Sequence, residues 1–174
     1  MSTDTKNIAK IMMWLTWLII IGLLTLFFND FLENEHNPNR SVYGTVTESG
    51  VREVTLERNR QGHYLSAGFI NGHAVVFLLD TGASDVAIPA GVAKRIGLTG
   101  STPIRYKTAN GTTIGFLTKL DTISVGNIEL TNIRGGINPS MKDEYILLGM
   151  TFLKHLEFTQ RGNKLILRQY AGDQ

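Results

Sequence analysis

At 174 residues with 43% hydrophobic content, the chain can build one modest core, and its first forty residues stand apart from that core, so one domain with an N-terminal appendage is expected. The formal net charge of +2 is small and scattered, and no basic stripe is interleaved with aromatics, which argues against a nucleic-acid partner. The absence of cysteine excludes disulfides and thiolate chemistry while leaving the redox compartment open.

From Ile11 to Phe28 the chain carries no charge, and as a helix this stretch spans roughly 27 Å, just enough to cross a bilayer. Lys6 and Lys10 precede it, while Asp30, Glu33 and Glu35 follow. The positive-inside rule therefore places residues 1–10 in the cytoplasm and the domain outside. A cleaved signal sequence usually has a shorter apolar core and a small-x-small site, which Asn29-Asp30-Phe31-Leu32-Glu33 does not offer, so 11–28 is expected to be an uncleaved anchor. Residues 29–42, polar and containing Pro38, read as a linker, which leaves 43–174 as the domain.

Glu53 to Glu57 alternates polar and apolar residues as an exposed or edge strand does, and Asn59-Arg60-Gln61-Gly62 reads as a turn. Strands over His63–Ile70 and Ala74–Leu79 flank Asn71-Gly72, the strongest short hairpin signal. The second of these strands delivers Asp80, followed at once by Thr81-Gly82-Ala83-Ser84, into a tight turn. An acid at the mouth of a buried strand loses hydration, and the chemistry that suits it best is acid/base catalysis by two facing aspartates that share a proton. Gly82 lets the backbone of a twin copy approach, and the Thr81 hydroxyl can bond across such a junction. The chain has one such turn.

Beyond it, Val86-Ala87-Ile88 is apolar, and Pro89 opens a short helix through Val92, Ala93 and Ile96 that Gly97 closes. Ile104–Thr108 and Thr112–Leu117 form a hairpin around Ala109-Asn110-Gly111, which taken alone reads as a surface hairpin. Strands over Thr118–Val125 and Ile128–Ile133 follow, and the spacing of turn signals points to a small all-β barrel or sandwich. Asp121-Thr122 lacks the following glycine and reads as a strand-start acid, and Gly135-Gly136, without a nucleotide fingerprint, reads as a backbone bend. Ile146-Leu147-Leu148-Gly149 is a buried strand ending where a glycine permits close approach, Met150 to His155 starts a short helix, and Leu156–Phe158 with Lys164–Arg168 form a last hairpin. His36, His63, His73 and His155 have no metal-ligand spacing, so no metal or cofactor is expected, and Ser84 lies outside any Gly-x-Ser-x-Gly elbow.

Asp80-Thr81-Gly82-Ala83-Ser84 preceded by Phe77-Leu78-Leu79, together with Ile146-Leu147-Leu148-Gly149, resembles the retropepsin-like aspartic proteases, in particular the membrane-anchored bacterial members, over roughly His63 to Arg168. The resemblance implies an all-β, single-lobe acid-protease barrel with one or two short helices, here preceded by one transmembrane helix. It makes the hairpin around Ala109, Asn110 and Gly111 a flap, places Leu148 and Gly149 beside the acid turn, and gives the terminal strands a part in a dimer. One acid turn per chain supplies two facing carboxylates only if two chains pair about a two-fold axis, so the expected enzyme is a homodimeric endopeptidase with a water activated between two copies of Asp80. Thr81, Gly82 and Ala83 would support that site, and Ser84 with the flap residues would contact a peptide substrate.

Ser84 stands where viral members commonly carry an acid. Ala83 stands where pepsin-like relatives often carry a serine able to donate to the aspartate, which leads to the expectation of a pH optimum less acidic than theirs. A resembling bacterial protein would sit in the inner membrane with its domain in the periplasm, and two anchored chains would meet at raised effective concentration. The alternatives are a non-catalytic dimeric peptide-binding module on the same fold and a membrane-tethered structural β-domain. The second leaves Asp80 unexplained.

Overall fold

A computed structural model of the chain describes residues 3–108 and 111–170. Helix α1, Thr3–His36, runs without a break, and its Asn7–His36 portion has a mean hydropathy of 2.4 over its most apolar window with none of that window buried. It is thus long and apolar enough to cross a membrane, a character that anchors and signal sequences share. Within it the Thr16 and Thr25 hydroxyls donate back to the carbonyls of Met12 and Ile21 at 2.9 and 2.8 Å, which satisfies their polar groups inside the helix.

The linker expected over 29–42 is corrected in its first half, since residues 29–36 continue α1. No glycine or proline interrupts them, and the Asn29 amide reaches Glu33 one turn on at 3.3 Å. The helix ends where Pro38 disfavours the helical conformation of the residue before it. Nor is the remainder a free tether, because Asn37 and Asn39 are buried against the domain.

The domain is built from two sheets. Strands β1 (Gly44–Val46), β2 (Arg52–Glu57), β10 (Glu157–Arg161) and β11 (Lys164–Gln169) form a four-stranded sheet in the order β1-β2-β11-β10. The second contains β3 (Leu65–Ile70), β4 (His73–Leu79), β5 (Val86–Pro89), β6 (Pro103–Thr108), β7 (Gly111–Val125), β8 (Ile128–Asn138) and β9 (Ile146–Leu148). Its order is β3-β4-β9-β5-β8-β7-β6, and a further β3–β7 pairing at Phe69↔Ser124 and Ile70↔Ile123 curls it into a barrel. Two short helices, α2 (Ala90–Arg95) and α3 (Met150–Leu153), pack on the core through buried Val92, Ala93, Phe152 and Leu153. This is the expected all-β barrel with two short helices.

The first hairpin turns at Asn71 and Gly72, whose φ values of 49° and 79° are those of the tight turn that the Asn-Gly pair favours. Asn71 also exchanges backbone and side-chain hydrogen bonds with Thr122, both at 3.0 Å, which ties the hairpin to β7. Three expectations are corrected. The strands expected at 112–117 and 118–125 are one strand, because backbone pairing passes without a gap from β6 to β8 at Phe116, which is opposite both Pro103 and Ile137. Asp121 is an exposed mid-strand residue of β7, not a strand-start acid. Gly135-Gly136 is extended backbone within β8, paired with Val86 and Ala87, rather than a bend, and Gly136 supplies space for the Tyr106 side chain.

Candidate active site

Strand β4 is the central positioning element. It pairs with β3 on one side and, in parallel, with β9 on the other, with Phe77↔Ile146 and Leu79↔Leu148 in register. Val75 and Phe77 of β4, Ile146 and Leu148 of β9, and Val86 and Ile88 of β5 point into the core. The alternate positions Val76, Leu78, Leu147 and Ala87 are half-buried, and Leu147 sits opposite both Leu78 and Ala87. They make an apolar platform on the other face of the sheet. Asp80, half-buried, follows where β4 leaves the sheet.

The turn is held by its own acid and by β9. The Asp80 amide donates to the Leu148 carbonyl at 3.2 Å, the Gly82 amide donates to Asp80 Oδ1 at 2.9 Å, and the Ala83 amide donates to the Asp80 carbonyl at 3.2 Å. From the other side the Met150 and Thr151 amides at the start of α3 donate to the carbonyls of Ala83 and Ser84 at 2.8 and 3.1 Å. The Thr151 hydroxyl accepts from the Val86 amide at 3.0 Å. Gly149 makes this docking feasible: a Cβ there would lie 2.3 Å from the Asp85 carbonyl oxygen and 2.6 Å from that of Ala83. The structure thus brings Asp80, Gly82, Ala83, Ser84, Leu148 and Gly149 together, with Thr81, Gly82 and Ser84 exposed on the surface of the single chain.

Asp85, Arg134 and Tyr106 form a cluster under this turn that the sequence reading did not single out. The Asp85 carboxylate is 8% exposed and its Oδ1 accepts from Arg134 Nε and Nη2 at 3.1 and 2.6 Å. The hydrogen bond to Asp85, then its charge, raises the Arg134 pKa. Tyr106 reaches in from β6, where a Cβ on Gly115 or Gly136 would collide with its ring or hydroxyl. Among the described residues its buried hydroxyl has no partner in hydrogen-bond geometry, and burial, then the neighbouring Asp85 charge, pushes its pKa up. The cue available in sequence was the glycine pair beside Arg134.

The β6–β7 hairpin has the expected place, with Thr108↔Gly111 its last pair and Gly111 in a left-handed conformation at φ 113°. Ala109 and Asn110, expected to contact substrate, lie outside the described residues. Ile114 and Phe116 on β7 are 57% and 38% exposed, and Thr113 and Ser140 share a hydrogen bond of 2.6 Å that ties β7 to the segment after β8. A groove of about 680 Å³ lies elsewhere, between α1 and the start of β4, and none of its lining belongs to the acid turn. Among the described residues no three His, Asp or Glu side chains gather in a metal-binding arrangement.

A curled sheet that presents an Asp-Thr-Gly turn beside a hydrophobic-hydrophobic-Gly strand defines a single acid-protease lobe. The comparisons agree. Residues 66–155, just over half of the chain, match the family model described as gag-polyprotein putative aspartyl protease, and this range takes in the acid turn, the β6–β7 hairpin and Gly149. The chain is 31% identical over 175 residues to an uncharacterized protein in the cobV 5' region of a Sinorhizobium species, covering 94% of this chain and 74% of that protein. It is 29% identical over 131 residues to the uncharacterized protein RP867 of Rickettsia prowazekii (strain Madrid E), covering 74% of this chain and 55% of that one. Among solved structures, a retropepsin-like aspartic protease from Rickettsia conorii superposes with a TM-score of 0.60 at 28% identity, covering 72% of this chain and 97% of that one. The chain belongs to the retropepsin-like aspartic protease family.

Proposed function

We propose that the chain is an aspartic endopeptidase that acts as a homodimer, with Asp80 of each protomer facing the other across a two-fold axis. The observation that carries this reading is the acid turn itself. Its carboxylate accepts from its own Gly82 amide, it is clamped from below by β9 and α3, and Thr81, Gly82 and Ser84 are left exposed where a second copy would meet them.

In the dimer, two carboxylates at contact distance hold one proton between them, because full ionisation of both places like charges side by side. The ionised group takes a proton from a bound water as its oxygen attacks the scissile carbonyl carbon, and the protonated group gives its proton to the carbonyl oxygen. The tetrahedral adduct collapses when a hydroxyl proton returns to a carboxylate and the leaving nitrogen is protonated, which restores the starting site. The chain's other parts serve this step by position. The part of the platform next to the acid turn, Leu78, Ala87 and Leu147, favours apolar side chains around the scissile bond, and Ile114 and Phe116 offer apolar cover from the β6–β7 hairpin. The Thr81 hydroxyls would brace the junction, and Ser84, Gly111 and the neighbouring Ala109 and Asn110 would meet the substrate backbone.

The long apolar helix supports single-pass anchoring through 11–28, with residues 1–10 cytoplasmic and the domain from 43 to 174 on the periplasmic side of an inner membrane. The test of the activity is cleavage of an apolar peptide pool by the full chain in detergent, beside Asp80→Asn. The proposal expects cutting that the variant abolishes. A dimeric wild-type chain that binds peptides and cuts none would assign the fold to a peptide-binding module.

A further inference from the structure

The junction between α1 and the domain has the construction of a rigid joint. Asn39 is its pin: its side-chain nitrogen donates to the carbonyls of Glu57 and Leu65 at 2.8 and 2.6 Å, and its side-chain oxygen accepts from the Glu57 amide at 2.7 Å. Its backbone carbonyl accepts from the Ala67 amide at 2.9 Å, so one residue bridges β2 and β3, the two sheets of the domain. Asn37 Oδ1 accepts from the Asn39 amide at 3.0 Å, while its own amide closes the last turn of α1 on the Glu33 carbonyl at 3.0 Å. Asn59 then caps α1 from the domain side, donating to the His36 carbonyl at 2.9 Å, and its Oδ1 accepts from the Gln61 and His63 amides. All three asparagines are buried, and exposed ion pairs Arg60–Glu35 and Arg40–Glu33 flank them at 3.0 and 2.8 Å. Buried and satisfied polar networks of this kind hold a single geometry.

The joint sets a reach. The uncharged run ends at Phe28, and eight further helical residues to His36 extend about 12 Å beyond it. Val76 lines the same groove as Leu32, Glu33 and His36, and Asp80 is four strand residues beyond Val76, about 13 Å at most. With α1 along the membrane normal and β4 leading away from the lipid, the orientation this inference takes, Asp80 stands roughly 25 Å above the surface of a membrane spanned by α1, a height that about eight extended residues reach. We propose that the natural substrates are proteins tethered to the same membrane and cut in the segment about eight residues from it. This rests on the reading of the chain as an anchored peptidase.

The test places the full chain in phosphatidylcholine vesicles with quenched fluorescent peptides tethered to the same bilayer, their scissile apolar pair about 3, 8 or 32 residues from the lipid. A second protein carries a flexible Gly-Ser insertion of about 12 residues between Phe28 and Asn29, which leaves the asparagine joint and Asp80 intact. The native chain should cut the eight-residue tether fastest. It should cut the longest about eightfold more slowly, as effective concentration falls with the three-halves power of length, and the shortest at least about tenfold more slowly. The insertion should restore cutting of the shortest tether and reduce the eightfold decline to about threefold. Equal cutting of short and middle tethers by the native chain, an identical profile with the insertion, or free peptide cut as fast as tethered at equal bulk concentration would overturn the substrate class alone. Absence of cutting of every peptide, tethered or free, would overturn the peptidase reading and this inference with it.

Discussion

Replacing Gly149 by alanine adds one methyl group at the closest approach between the acid turn and the strand beneath it. The new Cβ would lie 2.3 Å from the Asp85 oxygen and 2.6 Å from the Ala83 oxygen, both backbone, where ordinary contact begins at 3.4 Å. The differences, 3.4 − 2.3 = 1.1 Å and 3.4 − 2.6 = 0.8 Å, are the shifts the turn must make. Moving the Ala83 carbonyl that far breaks its 2.8 Å bond from the Met150 amide and strains the 3.1 Å bond from Thr151 to Ser84. Overpacking at about 1–3 kcal/mol and one or two lost hydrogen bonds at about 0.5–1.5 kcal/mol each give a loss of roughly 1.5–6 kcal/mol. For a domain of this size that is a fall in Tm of about 10–20 °C. Gly91→Ala is the control: it lies in helix α2 with nothing among the described residues within 4 Å of its new Cβ, and it should gain about 0.5–1 kcal/mol from helix propensity. Thermal unfolding followed by circular dichroism, with peptide cleavage measured alongside, separates the two. A Gly149→Ala protein that melts within about 2 °C of its parent and cleaves normally would refute the account of the turn.

Asn39→Ala leaves two carbonyls and an amide of Glu57 and Leu65 without their side-chain partner, and should cost about 2–4 kcal/mol in denaturant unfolding, well above an exposed Asn→Ala change. Arg134→Ala strips a nearly buried carboxylate of both its donors, but the arginine is 62% exposed and water can enter, so a loss of about 1–3 kcal/mol is expected in the same assay. Glu157 has its pKa lowered from 4.5 by the hydrogen bond from Tyr170 and then by that from Arg168. A depressed carboxylate contributes stability that is present above its unfolded pKa and lost as pH falls through the folded value, so Glu157→Gln should flatten the Tm profile below about pH 4.5 and leave its shape unchanged near neutrality.

What was legible in the sequence was what is encoded locally. Asn71-Gly72 announced its turn because the backbone signs needed there belong to those residue types, and the Asp80 motif with Gly149 announced a close backbone approach because only a residue without Cβ fits it. The rest depends on partners distant in sequence. Asn37 and Asn39 read as linker residues because polar side chains beside a proline usually are, and only the arrival of β2, β3 and the Asn59 turn makes them buried pins. The continuity of β7 was hidden because the strand changes neighbours midway, and local pattern carries no mark of which strand lies alongside. Gly135-Gly136 reads as a bend because Tyr106, whose side chain occupies the space that Gly136 leaves, lies thirty residues away. Asp85 and Arg134 are likewise joined by parallel pairing of β5 with β8, which no short motif records.

The central claim is that catalysis requires Asp80 from two chains, and the most direct measurement is activity in mixed membranes. Wild-type chain and Asp80→Asn are co-assembled in equal amounts at fixed total protein, above the concentration at which dimerisation saturates, and cleavage of an apolar fluorogenic peptide is followed. If each site needs two aspartates, random pairing leaves about one quarter of the dimers intact and activity falls to about one quarter of the all-wild-type value. Activity at about one half would show that each chain works with its own Asp80 alone, and would contradict the account.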